Sequence, residues 1–252
     1  MYQAVFISDL HLNPEEPQIE AKWIKFLTWV KGRTQSLYIL GDFVHAWAGD
    51  DLATPWSEGI ASQLAALAQD GIDCYFMPGN RDFLMGEGFA ARARWTVLRD
   101  PCVIHVALSP TSPEQPSILP IFLTHGDAYC SSDVQHQWFR RFTRSPVFMH
   151  GFLKLPRSWR ASWVRWVRQF SQNKHQNRDM RLIDVNHEQL MSELDRLGIS
   201  TCVHGHTHQG KKIDMSDPLG TLKTRYVLSD WDAEVKILTV TDQGRLEYFC
   251  FT

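Results

Sequence analysis

The sequence has little cysteine, and the cysteines it does have are far apart. They are odd in number, include no Cys-x-x-Cys pair and lie at Cys74, Cys102, Cys130, Cys202 and Cys250. A disulfide framework or a zinc-thiolate site needs cysteines that are paired or clustered. We therefore expect reduced cysteines that pack in the core of a cytosolic protein.

The sequence also lacks a long apolar run, a basic leader segment and an excess of charge of one sign. The chain starts with a strand-like segment at 4–7, and its net charge is −2. These absences argue against export through a signal peptide, against an integral membrane protein and against a global attraction to nucleic acid. The composition is 44% apolar, with ten Trp and fourteen Phe, so residues 1–252 can bury a core as a single domain.

Short strand-like runs alternate with amphipathic stretches along the first hundred residues. The strand-like runs lie at 4–7, 37–40 and 74–77, and helical periodicity follows each of them at 17–31, 56–69 and 83–92. This alternation is typical of βαβ units in a mostly parallel sheet.

Consecutive strand-like runs replace the alternation after residue 100. A Pro/Ser-rich loop at 109–117 joins the first two, a long helical stretch follows, and the runs lie at 103–108, 118–124, 201–204, 225–228, 234–240 and 245–251. We therefore predict an α/β fold in which two packed sheets lie between outer helices, an αββα sandwich with a helical insertion.

Five short polar fragments follow apolar runs and together offer the ligands of two metal ions. Their candidate ligands are Asp9, His11, Asp42, Asn80, His125, His206 and His208. Side chains at i and i+2 of a strand share a face, so Asp9 and His11 can point at one ion, and the same parity applies to His206 and His208. Carboxylate, imidazole and amide donors favour Mn, Fe or similar ions. Asp42 is the natural bridge, because a carboxylate between two cations offsets their repulsion.

Each fragment alone has an ordinary structural explanation. Asp-x-His can be a surface aspartate near a core histidine, Gly-Asp and His-Gly-Asp are common in turns, and Gly-His-Thr-His is only moderately specific. Five independent turns would not be expected to supply two carboxylates, an amide and four imidazoles in this order. The sequence therefore predicts a dinuclear metal hydrolase, in which paired ions position water and stabilise phosphorus during in-line displacement.

The fragments resemble the calcineurin-like metallophosphoesterases and, within them, the hydrolases of UDP-2,3-diacylglucosamine in lipid A synthesis. The resemblance covers nearly the whole chain, and its motifs lie at 38–42, 46–51, 79–84, 125–127 and 204–208. It implies the two-sheet fold of that family, with a helical lid at 131–190. It also implies Mn-dependent hydrolysis of the pyrophosphate to UMP and 2,3-diacylglucosamine 1-phosphate, by metal-activated water attacking the phosphorus nearer uridine.

The same resemblance assigns roles to individual residues. It implies that two Mn²⁺ ions, or other divalent ions, are bound, one by Asp9, His11, Asp42 and His208 and the other by Asp42, Asn80, His125 and His206. The residues implied to be catalytic are Asp42, Asn80, Arg81 and His125. The implied substrate contacts are Asn80, Arg81, Asp133, Ser171, His175, Arg178 and His206. His45, His175 and Arg178 depart from the residue types usual in the family.

Arg81 stands where many members of the wider family have a histidine that can protonate a leaving alcohol. Arginine cannot act as a general acid at neutral pH, but its fork can hold phosphate oxygens. A phosphate leaving group departs without being protonated. Pyrophosphate cleavage therefore fits Arg81 better than cleavage of an alkyl phosphodiester does. The alternative is a surface arginine that pairs with Asp82.

The segment 134–182 combines basic and aromatic residues. It holds eleven lysines and arginines against one acid, Asp179. Trp159, Trp163 and Trp166 recur at helical spacing and would supply an apolar face. This pattern favours an insertion that wraps acyl chains and lies peripherally on an anionic membrane, by resemblance the cytoplasmic face of the inner membrane. The alternatives are a solvated basic face over core aromatics and a nucleic-acid patch, which the phosphatase motifs disfavour.

Other functions remain open at this point. A different dinuclear metallophosphoesterase, such as a nucleotide phosphodiesterase or a phosphoprotein phosphatase, would share the metal ligands but not the need for the insertion. A non-catalytic scaffold would have no need of all seven ligands. Asp50 and Asp51 could support the ligands from behind or simply cap a helix or turn. We treat His136, His150 and His187 as ordinary surface or core histidines.

Overall fold

The computed structural model describes residues 1–112, 115–175, 184–216, 220–232 and 234–251, and at 110–112, 115–116 and 168–175 it describes the backbone alone. In these ranges the helices are α1 Pro17–Val30, α2 Pro55–Gln69, α3 Glu87–Ala93, α4 Val134–Thr143, α5 Pro146–Leu153, α6 Arg157–His175 and α7 His187–Leu197. The strands are β1 Tyr2–Ile7, β2 Thr34–Leu40, β3 Asp73–Met77, β4 Trp95–Val97, β5 Cys102–Ser112, β6 Gln115–Thr124, β7 Thr201–His204, β8 Gln209–Ser216, β9 Leu222–Ser229, β10 Val235–Val240 and β11 Leu246–Phe251.

The strands form two sheets, each with a parallel centre. The first has the order β11-β10-β1-β2-β3-β4, with β1 to β4 parallel and β10 and β11 antiparallel. The second has the order β5-β6-β7-β9-β8, with β6, β7 and β9 parallel and the two outer strands antiparallel. The loops that follow parallel strands of one sheet emerge at the same edge, which is where polar residues can gather.

Alternating side chains of the strands divide the core into layers. Ala4 and Phe6 of β1 pack between the two sheets, whereas Val5 and Ile7 pack in the cluster that also contains side chains of α1, α2 and α3. On the far side, Phe122 of β6 packs in a cluster with side chains of α7. A strand whose two faces are both buried has no polar alternation, as expected for the centre of a layered α/β fold. The predicted α/β class and the αββα sandwich are confirmed.

The boundaries of some elements differ from the sequence-based expectation. Helix α3 begins at Glu87 rather than at 83, because Gly86 is its N-cap and Asp50 accepts hydrogen bonds from Gly86 N and Phe89 N at 3.1 and 2.9 Å. The hairpin excursion predicted at 109–117 is found, but its strands are longer than expected, since β5 extends to Ser112 and β6 begins at Gln115. The short β4 and the polar β8 were not predicted. All five cysteines are free, and Cys74, Cys130 and Cys202 are buried as expected. Cys102 is half-buried and Cys250 is exposed on the outer strand β11, which corrects the expectation that all five pack in the core.

Helices α4, α5 and α6 lie within the segment 131–190 that was predicted to be an insertion, and α7 begins at its end. Their inner aromatic side chains pack on one another, with Trp163 4.9 Å from Phe152 and 5.8 Å from Phe148 between ring centroids. Trp163 therefore faces inward, which corrects the expectation that it lies on one exposed face with Trp159 and Trp166. The boundaries 131–190 stay a prediction. None of the helices within the described ranges has the length and apolar character needed to cross a bilayer.

Candidate metal centre

The five predicted fragments meet at one edge of the two sheets. Asp9 and His11 follow β1, Asp42 follows β2, and Asn80 follows β3. The second sheet supplies His125 directly after β6, and His206 and His208 after β7. Residues that are up to 197 positions apart are in contact here: the backbone N of His206 donates to Asp9 Oδ2 at 2.9 Å. The topology therefore brings all seven candidate ligands to one place.

The backbone at this edge is strained. Among the described residues, six that are not glycine have positive φ, and five of these are the candidate ligands Asp9, His11, Asp42, His206 and His208, with φ between 50° and 66°. The left-handed region is uncommon for residues with a side chain and costs on the order of 1 kcal/mol or more each. Strain concentrated on the polar residues of one edge is typical of a functional site.

Two glycines permit the loops to approach one another. A Cβ on Gly79 would lie 2.3 Å from Oδ1 of Asp42, and a Cβ on Gly205 would lie 2.4 Å from Oδ2 of Asp9. Neither contact is physically possible, so only glycine allows these backbones to pass beside the carboxylates. The glycines of the sequence fragments thus have a steric role at the site.

One group of donor atoms consists of Asp9, His11 and His208, whose potential ligand atoms lie within 4.8 Å of one another. Asp9 Oδ1 is 3.2 Å from His208 Nε2, and the other ring nitrogen of His208 is 3.2 Å from Oδ2 of Asp230. Burial alone would lower the pKa of His208, but the Asp9 and Asp230 carboxylates raise it to about 10. Asp230 thus fixes the His208 ring from the side away from Asp9, as partners of metal-bound histidines do.

The second group is formed by Asp42, Asn80, His125 and His206. The carbonyl oxygen of Leu40 accepts a hydrogen bond from His125 Nδ1 at 2.8 Å, so the neutral ring carries its lone pair on Nε2. That nitrogen lies 3.0 Å from Asn80 Oδ1, which is also 3.1 Å from His206 Nδ1. An amide oxygen and two imidazole nitrogens therefore converge at a distance that suits the ligands of one cation.

Asp42 and Asp9 occupy the centre of the arrangement. Asp42 Oδ2 is 3.9 Å from His11 Nδ1, and its Oδ1 is 3.7 Å from His125 Nε2, so Asp42 faces one histidine of each group. Asp9 belongs to two sets of donors that could hold an ion, one with His11 and His208 and one with Asp42 and His125. The bridging role predicted for Asp42 fits this position and stays a prediction.

The protonation states of His11, His206 and Asp9 suit divalent cations. Burial, followed by the charge of Arg81, holds the pKa of His11 well below its usual value, and burial together with His125 does the same for His206. Burial would raise the pKa of Asp9, but His208 lowers it below its usual range. Neutral imidazoles and ionised carboxylates are the forms that bind metal, so these three residues are ready to bind. Burial would lower the pKa of His125 and His208, but neighbouring carboxylates raise it, so a metal ion at these two histidines would displace a proton.

Unpartnered ring nitrogens also fit a cation-binding site. Within the described part of the chain, both buried ring nitrogens of His11 have no hydrogen-bond partner. A buried polar atom without a partner costs free energy unless something else satisfies it. Since nitrogen and oxygen donors converge here without a thiolate, the residues present fit a pair of ions such as Mn²⁺ or Fe²⁺.

Arg81 lies at the rim of this centre, with a side chain that is 29% exposed. Its Nε is 3.4 Å from Asp42 Oδ2, and its Nη1 is 3.1 Å from His45 Nδ1. The alternative of a pair with Asp82 is wrong, because buried Asp82 accepts hydrogen bonds from Phe43 N and Gly79 N at 2.7 Å each. Burial and the neighbouring Asp42 raise the pKa of Asp82 to about 7. Asp82 therefore ties two ligand loops together, and Arg81 is left to face the site.

Asp50 and Asp51 stabilise structure around the site. Asp50 caps α3 and accepts from Trp47 Nε1 at 2.9 Å. Asp51 pairs with Arg157 at 3.0 Å and with Arg160, whose side chain is only 2% exposed and also donates to the carbonyl oxygen of Ala48. The cap predicted as one alternative is thus found for Asp50, and Arg160 is not a surface charge.

The predicted substrate contacts are only partly within the described residues. Asn80, Arg81 and His206 belong to the centre, and Asp133 caps α4 through a bond from His136 N to its Oδ1 at 3.1 Å. Ser171 and His175 lie on α6, but their side chains are outside the description, as is all of Arg178. Their roles stay predictions.

Sequence reasoning missed two residues at the site. Asp230 directly follows β9 at the same edge, so a polar residue at the end of a strand-like run was the available signal. His136 was treated as ordinary, but its ring stacks on His206 with centroids 5.8 Å apart. No local sequence pattern predicts this contact, because it joins α4 to a loop 70 residues later in the chain.

The sequence that supplies these aspartate, asparagine and histidine residues matches the model of a known family. Residues 2–210 match the calcineurin-like phosphoesterase family, to which this chain belongs.

Similarity to individual proteins extends over nearly the whole chain. The UDP-2,3-diacylglucosamine hydrolase of Stenotrophomonas maltophilia is 36% identical over 247 residues, which cover 95% of this chain and 95% of that protein. The protein of the same name from Marinobacter nauticus is 38% identical over 231 residues, covering 92% of this chain and 90% of its own length. The one from Edwardsiella ictaluri is 36% identical over 240 residues, covering 95% and 89%.

Proposed function

We propose that this chain hydrolyses the pyrophosphate bond of UDP-2,3-diacylglucosamine to UMP and 2,3-diacylglucosamine 1-phosphate, a step of lipid A biosynthesis. The observation that carries the proposal is the position of Arg81 at the rim of a centre with seven candidate ligands. Relatives that bear the name of this activity align along 92–95% of the chain, which supports the same substrate.

Two divalent cations, with Mn²⁺ the leading candidate, complete the proposed centre. Asp9, His11, Asp42 and His208 would hold one, and Asp42, Asn80, His125 and His206 the other. When bound, such a pair supplies activation of water and charge stabilisation at phosphorus during in-line displacement.

The protein's own residues account for the choice of bond. Arg81 presents its guanidinium from a partly exposed position, while its backbone N donates to Asp42 Oδ1 at 2.9 Å and fixes where the side chain starts. The planar fork can hold two phosphate oxygens together. A sugar 1-phosphate leaves as an anion, so no general acid is needed where Arg81 stands. Attack at the phosphorus nearer uridine would release that leaving group.

The insertion is proposed to present substrate from an anionic membrane surface at the cytoplasmic face of the inner membrane. Trp138, Trp159 and Trp166 are 72%, 67% and 63% exposed, and Arg141 and Arg165 are also exposed. Exposed aromatic rings next to exposed cations suit the interface of an anionic bilayer. The basic residues that form ion pairs inside the protein do not contribute to this surface.

The deciding experiment is a substrate comparison. The purified protein would be assayed on UDP-2,3-diacylglucosamine and on a simple nitrophenyl phosphodiester, with Mn²⁺, with Mg²⁺ and with a chelator. We expect the nucleotide lipid to be the better substrate and the activity to disappear with the chelator and return with Mn²⁺. Faster cleavage of the phosphodiester would favour a different metallophosphoesterase activity instead.

Hydrolysis in heavy-oxygen water tests the direction of attack. The proposal expects the label in UMP, because water would add to the phosphorus that stays with uridine. A label in the sugar 1-phosphate would reject this direction without rejecting the substrate.

A further inference from the structure

The first helix of the insertion directs two of its arginines into the protein. The side chains of Arg140 on α4 and of Arg144, the C-cap residue of that helix, are only 17% and 18% exposed, whereas Arg141 between them is exposed. Positions four residues apart share one face of a helix. Gln137 lies on the same face, and its Nε2 donates to the carbonyl oxygen of Asp127 at 2.6 Å. This face of α4 therefore contacts the loop that carries His125.

The two arginines hold two buried carboxylates at once. Arg140 donates from Nη2 to Asp100 Oδ2 at 2.9 Å and from Nε to Asp127 Oδ2 at 3.0 Å. Arg144 donates to the same two oxygens at 3.1 and 3.2 Å. Asp100 and Asp127 have side chains that are 2% and 0% exposed. Four hydrogen bonds between two guanidinium forks and two carboxylates leave little freedom of position.

The carboxylates in turn hold the backbone of a candidate metal ligand. Asp100 Oδ1 accepts from His125 N at 3.1 Å and from Thr124 Oγ1 at 2.8 Å, and that hydroxyl oxygen accepts from Gly126 N at 3.2 Å. The backbone on both sides of the His125 ring is therefore fixed by Asp100.

A further bond reaches the loop of a second candidate ligand. Arg144 Nη2 donates to the carbonyl oxygen of Pro78 at 3.4 Å, two residues before Asn80. Asn80 and His125 are both ligands of the same ion in the proposed centre. In the part of the chain that the structure describes, Asp9, His11 and His208 form no hydrogen bond or ion pair with the four charged residues.

We propose that Arg140 and Arg144 are positioning residues, which set the places of His125 and Asn80 and so the affinity of one of the two metal positions. The inference rests on the proposed dinuclear centre. It gives the insertion a second role, because the helix that borders the substrate region also holds one half of the centre in place. Removing an outer partner of a metal ligand typically lowers metal affinity by about 10–100-fold.

Manganese titration tests the proposal. Binding of Mn²⁺ to the purified full chain would be followed by paramagnetic resonance, which distinguishes a single ion from a coupled pair, and thermal unfolding would be measured in parallel. We expect Arg144→Gln to bind one ion as the wild type does and the other at least about tenfold more weakly. Arg141→Gln, which removes the same charge from the exposed face of α4, is the matched control and should bind both ions normally.

A second variant tests the positioning role if Arg144→Gln does not fold. Thr124→Val keeps all four charges and removes only the hydroxyl that links Asp100 to Gly126 N, and it should weaken the same ion selectively. Unchanged affinity for both ions, or an equal weakening of both in step with thermal stability, would overturn the positioning role. A wild-type chain that binds no ion pair would instead overturn the proposed centre, and the inference with it.

Discussion

The ligand loops and the insertion differ in how their sequences relate to their structures. In the loops, the residues identified by type and by position after strands converge on one edge, although they come from five separate segments. In the insertion, the basic residues were identified by composition alone. In the structure their side chains point in opposite directions. Arg140, Arg144 and Arg160 pair inside the protein, while Arg141 and Arg165 are exposed. Position relative to a strand end carries three-dimensional information that composition lacks.

Removal of Asp42 should have the largest effect in the ligand loops. We expect Asp42→Ala to lose both ions and to reduce turnover by more than the 10–100-fold that removal of an outer partner causes, because Asp42 faces a histidine of each group. His208→Ala should mainly weaken one ion. Metal content per chain and turnover would be measured for both. Two bound ions and near-normal turnover in Asp42→Ala would refute its bridging role.

Arg81 should be important for turnover and not for metal binding. Arg81→Lys keeps the charge but loses the planar fork, so we expect kcat/KM for the nucleotide lipid to fall by roughly tenfold to a hundredfold, about 1.4–2.7 kcal/mol. Mn²⁺ content should stay at the wild-type value. A variant that loses metal together with activity would show that Arg81 acts through Asp42 rather than on the substrate.

Arg160 should stabilise the insertion rather than carry a surface charge. Arg160→Gln removes the partner of Asp51 and of the Ala48 carbonyl oxygen. We expect a loss of about 2 kcal/mol in the free energy of unfolding, less than for a fully buried pair because Asp51 is partly exposed. Arg165→Gln is the control, since Arg165 is exposed, and should change stability little. Equal stabilities in denaturant titration would contradict the distinction.

The exposed cations of the insertion should have the smallest effects individually. Each contributes on the order of 1 kcal/mol near an anionic leaflet, and salt weakens the attraction. We expect the combined variant Arg141→Glu, Lys154→Glu and Arg165→Glu to lose sedimentation with vesicles that contain anionic lipid, while Mn²⁺ binding is retained.

A matched variant outside the insertion separates local from global charge. Lys25→Glu, Lys31→Glu and Arg245→Glu reverse the same number of exposed charges and should leave vesicle binding closer to the wild type. Equal loss in both variants would mean that net charge, and not this surface, governs the attachment.

Much of the fold was predictable because its strands and helices have local signals. The runs at 4–7, 37–40 and 74–77 lie within β1, β2 and β3. The helical period of the apolar residues in α1 and α2 identifies both helices. The beginning of α3 could not be predicted in the same way, because the carboxylate that satisfies its first amides comes from Asp50, 36 residues earlier. β8 is an outer strand rich in polar residues, so its sequence contains no apolar run from which a strand could be predicted.

The site was predictable to the extent that its ligands follow strands. Asp230 and Asp100 were missed since each acts through another residue, His208 in one case and the backbone of His125 in the other. Such partners share no motif with the residue they support. Asp230 could still have been identified from its position after β9, whereas Asp100 becomes visible only when the sheet places distant segments side by side.

The left-handed backbone at five candidate ligands has a consequence for stability. The ligand loops already have the strained conformation in the folded chain. Little binding free energy is therefore needed to order them when an ion binds, and this preorganisation favours affinity. The metal-free protein bears that cost, on the order of 1–3 kcal/mol for each strained residue. Substitution of His11, whose ring nitrogens have no hydrogen-bond partner, by glycine should therefore make the metal-free fold more stable while weakening metal binding. At this edge of the sheets, stability and function select for opposite residues.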